Sequence, residues 1–283
     1  MKASYLNNFT SSFFLWLDHE LLSKGEAFLN YSGKLYASND AYYDDTSSVY
    51  ASPFKQWVYD SSITNAIVPS GVYVNNNFVS KGVSGLSLDF NRGRAIFDNN
   101  FVNTNNITAN YSFKEFNIYY TDEKEEKLLF EKAYTLTPKV TMITGGLTVS
   151  ENPYPCVFFK VKTNENIPFA FGGLDTTKNW VRCIVLAKDI FSLDSIVSVL
   201  NDSARKVFPV FEAKDLPFNY IGDLKSGVYN YNNMCNAQQN NKLVFIKKVT
   251  CTKFEESENL YINKKTLAAF VDFEIESIRN PRS

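Results

Sequence analysis

Between Gly71 and Tyr120, short aromatic and apolar runs recur at roughly ten-residue spacing, each closed by Asn, Asp or Gly, and this rhythm constrains the chain most. Val72-Tyr73-Val74 and Phe78-Val79-Ser80 flank Asn75-Asn76-Asn77, which reads as a hairpin. Leu86-Ser87-Leu88-Asp89-Phe90 alternates with period two and returns through Asn91-Arg92-Gly93 into Arg94-Ala95-Ile96-Phe97. Gly93 would supply the positive φ that this second turn requires. Leu86, Leu88 and Phe90 share one face. Ile96, and either Ala95 or Phe97 depending on register, is expected to meet them as core framework. Ile107–Phe113 and Asn117–Tyr120 continue the series. The pattern predicts an antiparallel sandwich or barrel-like unit.

The remaining elements are read around that block. Thr10, Ser11 and Ser12 offer N-caps for a helix that Gly25 would close. Phe13, Leu17 and Leu21 share one face and Phe14 and Trp16 broaden it, so deep packing is favoured over an interface role. Ser32 to Asp60 reads as irregular, ending in an extended arm, Pro53 to Asp60. Within it Asp44 and Asp45 could hold a hard cation, but no Asp-x-Asp-x-Asp-Gly loop follows, and an exposed polar loop is the simpler reading. Thr121 to Lys127 suits a helix start, and Lys139 to Val149, with Gly145-Gly146, a long loop. Strands are expected at Cys156–Val161, Trp180–Ala187, Lys242–Phe254 and Ala268–Ile275, with a polar turn near Asn259–Asn263 and a helix over Asp194–Ala204. The predicted class is β-rich α+β, with helices beside antiparallel sheets. Residues 1–60 would form the N-terminal helix and arm, and 61–283 a body that can be one continuous domain.

Chemistry is scarce. One histidine in 283 residues excludes multi-histidine metal sites and leaves only His19 for any Ser-His or Cys-His arrangement. Asp18-His19-Glu20 occupies adjacent helix positions that point in different directions, so a solvated or capping histidine is the expected role. Asp89 and Asp98 could oppose one another as paired carboxylates, but salt bridges to Arg92 and Arg94 explain them more simply. No phosphate loop, dinucleotide fingerprint or nucleophile elbow is present. Cys156, Cys183, Cys235 and Cys251 lack metal-ligand spacing. The first two look like buried thiols, and without a secretory leader a Cys235–Cys251 disulfide is disfavoured. A net charge of -1 removes the footprint of a duplex-binding protein, and no apolar run approaches membrane-spanning length. The expectation is a non-enzymatic protein with no catalytic residue, cofactor, metal, small-molecule substrate, membrane contact or sequence-specific nucleic acid.

The 24 Phe and 17 Tyr could reflect codon bias, or could supply the contact area of permanent interfaces. On the second reading Tyr42, Tyr43, Phe54, Trp57 and Tyr59 are the candidate interface residues, on a poorly packed segment, Ala41–Asp60, that orders only against a neighbouring subunit. The stretch Gly85 to Phe97, followed by Ile107-Thr108-Ala109-Asn110-Tyr111-Ser112, resembles virion structural proteins of tailed bacteriophages. In those proteins an Asp-aromatic-x-x-Gly-Arg hairpin precedes a strand of this type. Ser52 to Asp60 and Phe270 to Ile275 are similar in the same way, so the likeness covers about a third of the chain. It implies a ring-forming neck or tail-terminator subunit, assembled in the host cytoplasm into a virion and bound to copies of itself and to neighbouring virion proteins. A baseplate or fibre adaptor, or a carbohydrate-binding tail protein, is the alternative.

Overall fold

A computed structural model describes residues 5–39, 42–43, 46–98, 106–122, 124–126, 129, 154–168, 173–217, 228–238, 243–254 and 266–279. Tyr5–Ser23 forms α1, which starts earlier than its Ser/Thr cluster suggests. Thr10 and Ser12 are interior residues whose hydroxyls donate to the carbonyls of Leu6 and Asn8 at 2.9 and 2.7 Å. This back-bonding is how a helix accommodates hydroxyl side chains away from its cap. Gly25 follows the helix, but the left-handed residue is Glu26 at φ 47°. A Cβ on Gly25 would stand 2.6 Å from the Leu21 carbonyl oxygen, so the glycine serves close approach.

Seven strands form the first sheet: β1 (Phe28–Ser38), β2 (Ser48–Ala51), β3 (Gly71–Val74), β4 (Asn77–Ser80), β5 (Leu86–Asp89), β6 (Arg94–Phe97) and β7 (Ile107–Lys114). Their order is β4-β3-β7-β1-β2-β6-β5. A 3-10 turn at Val83–Gly85 joins the two edge strands and touches β4 and β6, so the sheet curls towards a barrel. The second sheet contains β8 (Asn117–Tyr120), β9 (Cys156–Pro168), β10 (Asp175–Ala187), β11 (Val207–Pro209), β12 (Leu243–Lys253) and β13 (Leu267–Arg279). Its order is β11-β12-β13-β10-β9-β8, antiparallel except for β8 beside β9. Two further helices, α2 (Ile190–Asn201) and α3 (Tyr231–Ala237), are capped by Asp189 and Asn230. The β-rich α+β class therefore holds. No helix among the described residues is long and apolar enough to cross a membrane.

α1 lies between the sheets. Phe9, Phe13, Trp16, Leu17, Leu21 and Leu22 are at most 2% exposed and belong to the one large core that both sheets share. Phe13 packs against Phe159 and Phe273 at 5.3 and 5.5 Å, and Trp16 stacks on Phe208 at 5.2 Å. Apolar residues on every side of a helix are stable only under such enclosure.

Both hairpins form as their turns dictate. Asn75 and Asn76 take φ 48° and 68°, the positive values of a two-residue hairpin turn, and Gly93 takes φ 65°. Leu86 faces Phe97 and Leu88 faces Ala95, so Ala95 and Phe97 complete the inner face. Ile96 pairs with Ser87 and turns the other way.

The segment from Ser32 to Asp60 departs most from expectation. It contains most of β1 and all of β2, which lie between β7 and β6. β1 and β2 thus share a sheet with the chain that follows, and Pro53–Asp60 is packed against it and not an unpacked arm. Trp57 donates its backbone N–H to Phe90 and Val58 to Ser112, each at 2.8 Å. Fully buried Trp57 and Tyr59 supply the apolar contact that holds the segment down. Asp44, Asp45, the Lys139–Val149 loop, the Asn259–Asn263 turn and, within the expected Thr121–Lys127 helix start, Glu123 and Lys127 lie outside the described residues.

Candidate functional site

The five aromatic candidates for an interface separate into two groups. Trp57 stacks on Tyr111 at 4.5 Å and donates its indole N–H to the Phe54 carbonyl at 3.2 Å. Tyr59 covers the Lys114 ammonium at 3.9 Å. Both are core residues of this chain, with no surface left for a neighbour. Phe54 is half-buried, stacked on Phe113 at 4.0 Å. Tyr42 and Tyr43, by contrast, meet the tip of the β5–β6 hairpin. Tyr43 donates its hydroxyl to Asp89 at 2.6 Å, and the Arg92 guanidinium lies 3.4 Å above the exposed Tyr42 ring. Arg92 also reaches Asp89 at 3.2 Å, and its backbone N–H donates to the same carboxylate at 2.9 Å. Asp89 is therefore occupied. Asp98 sits opposite Gly85, four residues along the ladder from Asp89 and about 13 Å away. Carboxyl pairs that cleave glycosides stand about 5–9.5 Å apart and free to act, whereas the Asp89 carboxylate is already engaged by Tyr43 and Arg92.

Asp18, His19 and Glu20 fan out to three partners. Glu20 accepts from Lys206 at 2.6 Å. Asp18 accepts twice from Lys114, at 2.6 and 2.8 Å, in full burial. Burial alone would lower the Lys114 pKa, but the adjacent Asp18 carboxylate outweighs it and holds the ammonium above its ordinary range. Burial pushes the Tyr59 hydroxyl up to about 12, with the Asp18 charge adding to it.

The solvated role expected for His19 is corrected by the third partner. Its Nδ1 lies 2.8 Å from Asp60 Oδ2, its ring stacks on Tyr231 at 4.5 Å, and its side chain is 13% exposed. An ionised carboxylate can only accept, so Nδ1–H is the donor. Asp60 also accepts from the Ser62 backbone and hydroxyl at 2.9 and 2.7 Å and from the Tyr231 backbone at 3.1 Å. Burial opposes its charge, yet these four donors hold its carboxyl below the ordinary carboxylate value. Saturated this way, Asp60 ties α1 to α3. Asp60 is 41 residues from His19 in the sequence, and no local pattern announces the pair.

The thiols of Cys156 and Cys183 are pushed up by burial, as inert core cysteines are. All four cysteines are free, and no group of metal-binding side chains occurs among the described residues.

A surface that sequence reading missed lies on the outer face of the second sheet. Val207 pairs with Phe245, and directly opposed residues share a face. Leu243 lies two positions before Phe245 on β12, and Ile278 two beyond Glu276, the β13 partner of Phe245. Period two puts all four side chains on that face. They are 55, 40, 49 and 62% exposed for Val207, Phe245, Leu243 and Ile278. The intervening Val244, Ile246 and Ile275 point into the core. The signal was available as Leu243-Val244-Phe245-Ile246, apolar at positions of both parity. Compared with known proteins, the chain matches no family model and no curated protein.

Proposed function

We propose that this chain is a non-enzymatic structural subunit of a tailed-phage virion, a ring-forming neck or tail-terminator component that binds copies of itself and adjacent virion proteins. One observation carries the assembly role: four large apolar side chains, Val207, Leu243, Phe245 and Ile278, stand together in water on one sheet face. Clusters of this kind mark interaction surfaces, and burying the roughly half of each side chain that is still exposed would contribute about 0.6–1.9 kcal/mol. The internal use of Asp18, His19, Asp60 and Asp89 as ion-pair and hydrogen-bond partners fits the same reading. The virion assignment rests on the resemblance of the Gly85–Phe97 hairpin and the strand after it. A ring requires that the apolar row meet a different surface of the next copy, and the exposed Tyr42–Arg92 tip is the partner we assign to it.

Sedimentation velocity and negative-stain microscopy test this. The purified chain should form closed rings at micromolar concentration, and Phe245→Asp with Ile278→Asp should leave folded monomers. A monomer at every concentration, or hydrolase activity abolished by His19→Ala, would overturn the proposal.

A further inference from the structure

Beside the apolar row, the same outer face of the second sheet holds a groove of 530 Å³ that an assembly subunit does not need. Trp180 lies in its floor, half-buried. The strand register sets its neighbours in a line: Thr163 on β9 pairs with Trp180 on β10, Trp180 with Glu274 on β13, and Glu274 with Lys248 on β12. A second line beside it runs from Arg182 through Asp272 to Thr250.

Two β-bulges flank the first line. The β9–β10 register shifts between Trp180 and Val181, and the β12–β13 register between Ile246 and Lys248. Bulges bend their strands and re-aim side chains, and both occur at the level of Trp180. One wall is rigid. Arg182 grips Asp272 through two contacts of 2.6 Å, donates to Glu125 at 2.7 Å, and lies over the Phe270 ring at 4.5 Å. The other groups are open to a ligand: the Trp180 indole N–H, the Thr163 and Thr250 hydroxyls and the Lys248 ammonium make no hydrogen bond or ion pair among the described residues.

We propose that this groove binds a saccharide, with one sugar ring lying flat on Trp180. The chemistry of the lining selects that class. An indole face takes the C–H face of a ring, while hydroxyls that both donate and accept match a set containing an ammonium, two threonines and the Glu274 carboxylate, whose Oε1 also accepts from Lys247 at 3.0 Å. An extended polypeptide binds sheets at their edges through free backbone groups. Here the floor is mid-sheet, where backbone groups are already paired. Acids and bases alternate across the face, which gives a nucleic-acid backbone no continuous positive track. The site stands independently of whether the chain assembles into rings.

The full chain should be applied to an array of neutral and acidic oligosaccharides, and the strongest binder titrated while tryptophan fluorescence is followed. Trp16 and Trp57 are core residues at 2 and 0% exposure, so a ligand-dependent change reports Trp180. Measured by titration calorimetry, because both changes remove the fluorescent reporter, Trp180→Ala should weaken binding at least about tenfold and Trp180→Phe less, since phenylalanine keeps a flat ring. Thr163→Val with Thr250→Val should weaken it by about threefold or more while leaving the thermal midpoint unchanged. No retained glycan, or equal retention by both Trp180 variants and wild type, would overturn the assignment. So would a fluorescence response to a panel of extended Lys/Glu-containing peptides with none to sugars, which would make the groove a peptide site.

Discussion

Replacing Gly93 by alanine probes two costs that the structure allows to be separated. At φ 65° a side chain enters the left-handed region, which costs about 1–2 kcal/mol. The new Cβ would also stand 2.3 Å from the Phe54 carbonyl oxygen and 3.0 Å from Trp57 Nε1. That carbonyl cannot withdraw freely, because it accepts the Trp57 indole N–H, and Gly93's own carbonyl is fixed by the Ser52 N–H at 2.9 Å. Overpacking of this kind adds about 1–3 kcal/mol, so Gly93→Ala should lose about 2–5 kcal/mol in all. Gly82 is the control. It has φ 84°, and nothing lies within 4 Å of the position its Cβ would take, so Gly82→Ala should lose only the backbone share of about 1–2 kcal/mol. Equilibrium urea denaturation, read by tryptophan fluorescence, measures both. Equal losses in the two variants would refute the close approach of Gly93 to the Pro53–Trp57 segment, and with it the account of how that segment is held.

Two further outcomes test the buried charges around α1. The Asp60 carboxyl is held below its ordinary value of 3.8, so over that interval the folded chain binds fewer protons than the unfolded one. Its contribution is complete above about pH 5 and is lost as the pH falls through the folded value; Asp60→Asn should flatten this acid limb of the urea midpoint, and an unchanged limb would exclude Asp60 as its source. Lys114→Met should cost about 3–5 kcal/mol by leaving Asp18 buried without its cation. Asp18→Leu combined with Lys114→Met should recover part of that loss, and a double variant less stable than Lys114→Met alone would contradict the desolvation argument.

The elements legible in the sequence are those specified locally. Asn75-Asn76 and Gly93 fix their hairpins because a turn needs positive φ at set positions, and few residues supply it cheaply. β1 was illegible for the opposite reason. Its side chains are mostly exposed or half-exposed, Gly33 interrupts it, and its stability comes from pairing with Ile107–Lys114 of β7, far along the chain. Trp57 and Tyr59 are large enough to need cover from water, but residue type does not reveal whether the cover is the chain's own or a neighbour's. The same limit hid His19, whose environment is set by Asp60 and Tyr231. It also hid Trp180, whose groove exists only because three other strands bring Thr163, Glu274 and Lys248 alongside it.

The enclosure of α1 has a consequence for the order in which the chain can fold. Phe13 rests on Phe208 and Phe273, and Tyr5 bonds to Ser277, 272 residues away. Contacts across such separations require large loops to close before they return any stabilisation, which makes their formation slow. On the ribosome, α1 leaves the exit tunnel long before β11 and β13 exist to receive it. Its phenylalanines and Trp16 must wait in an unfinished chain, where exposed apolar surface invites aggregation. Packing of α1 against the second sheet is therefore completed only after β13 has been made, and a nascent chain arrested before Leu267 should still expose this face of the helix to proteases and chaperones.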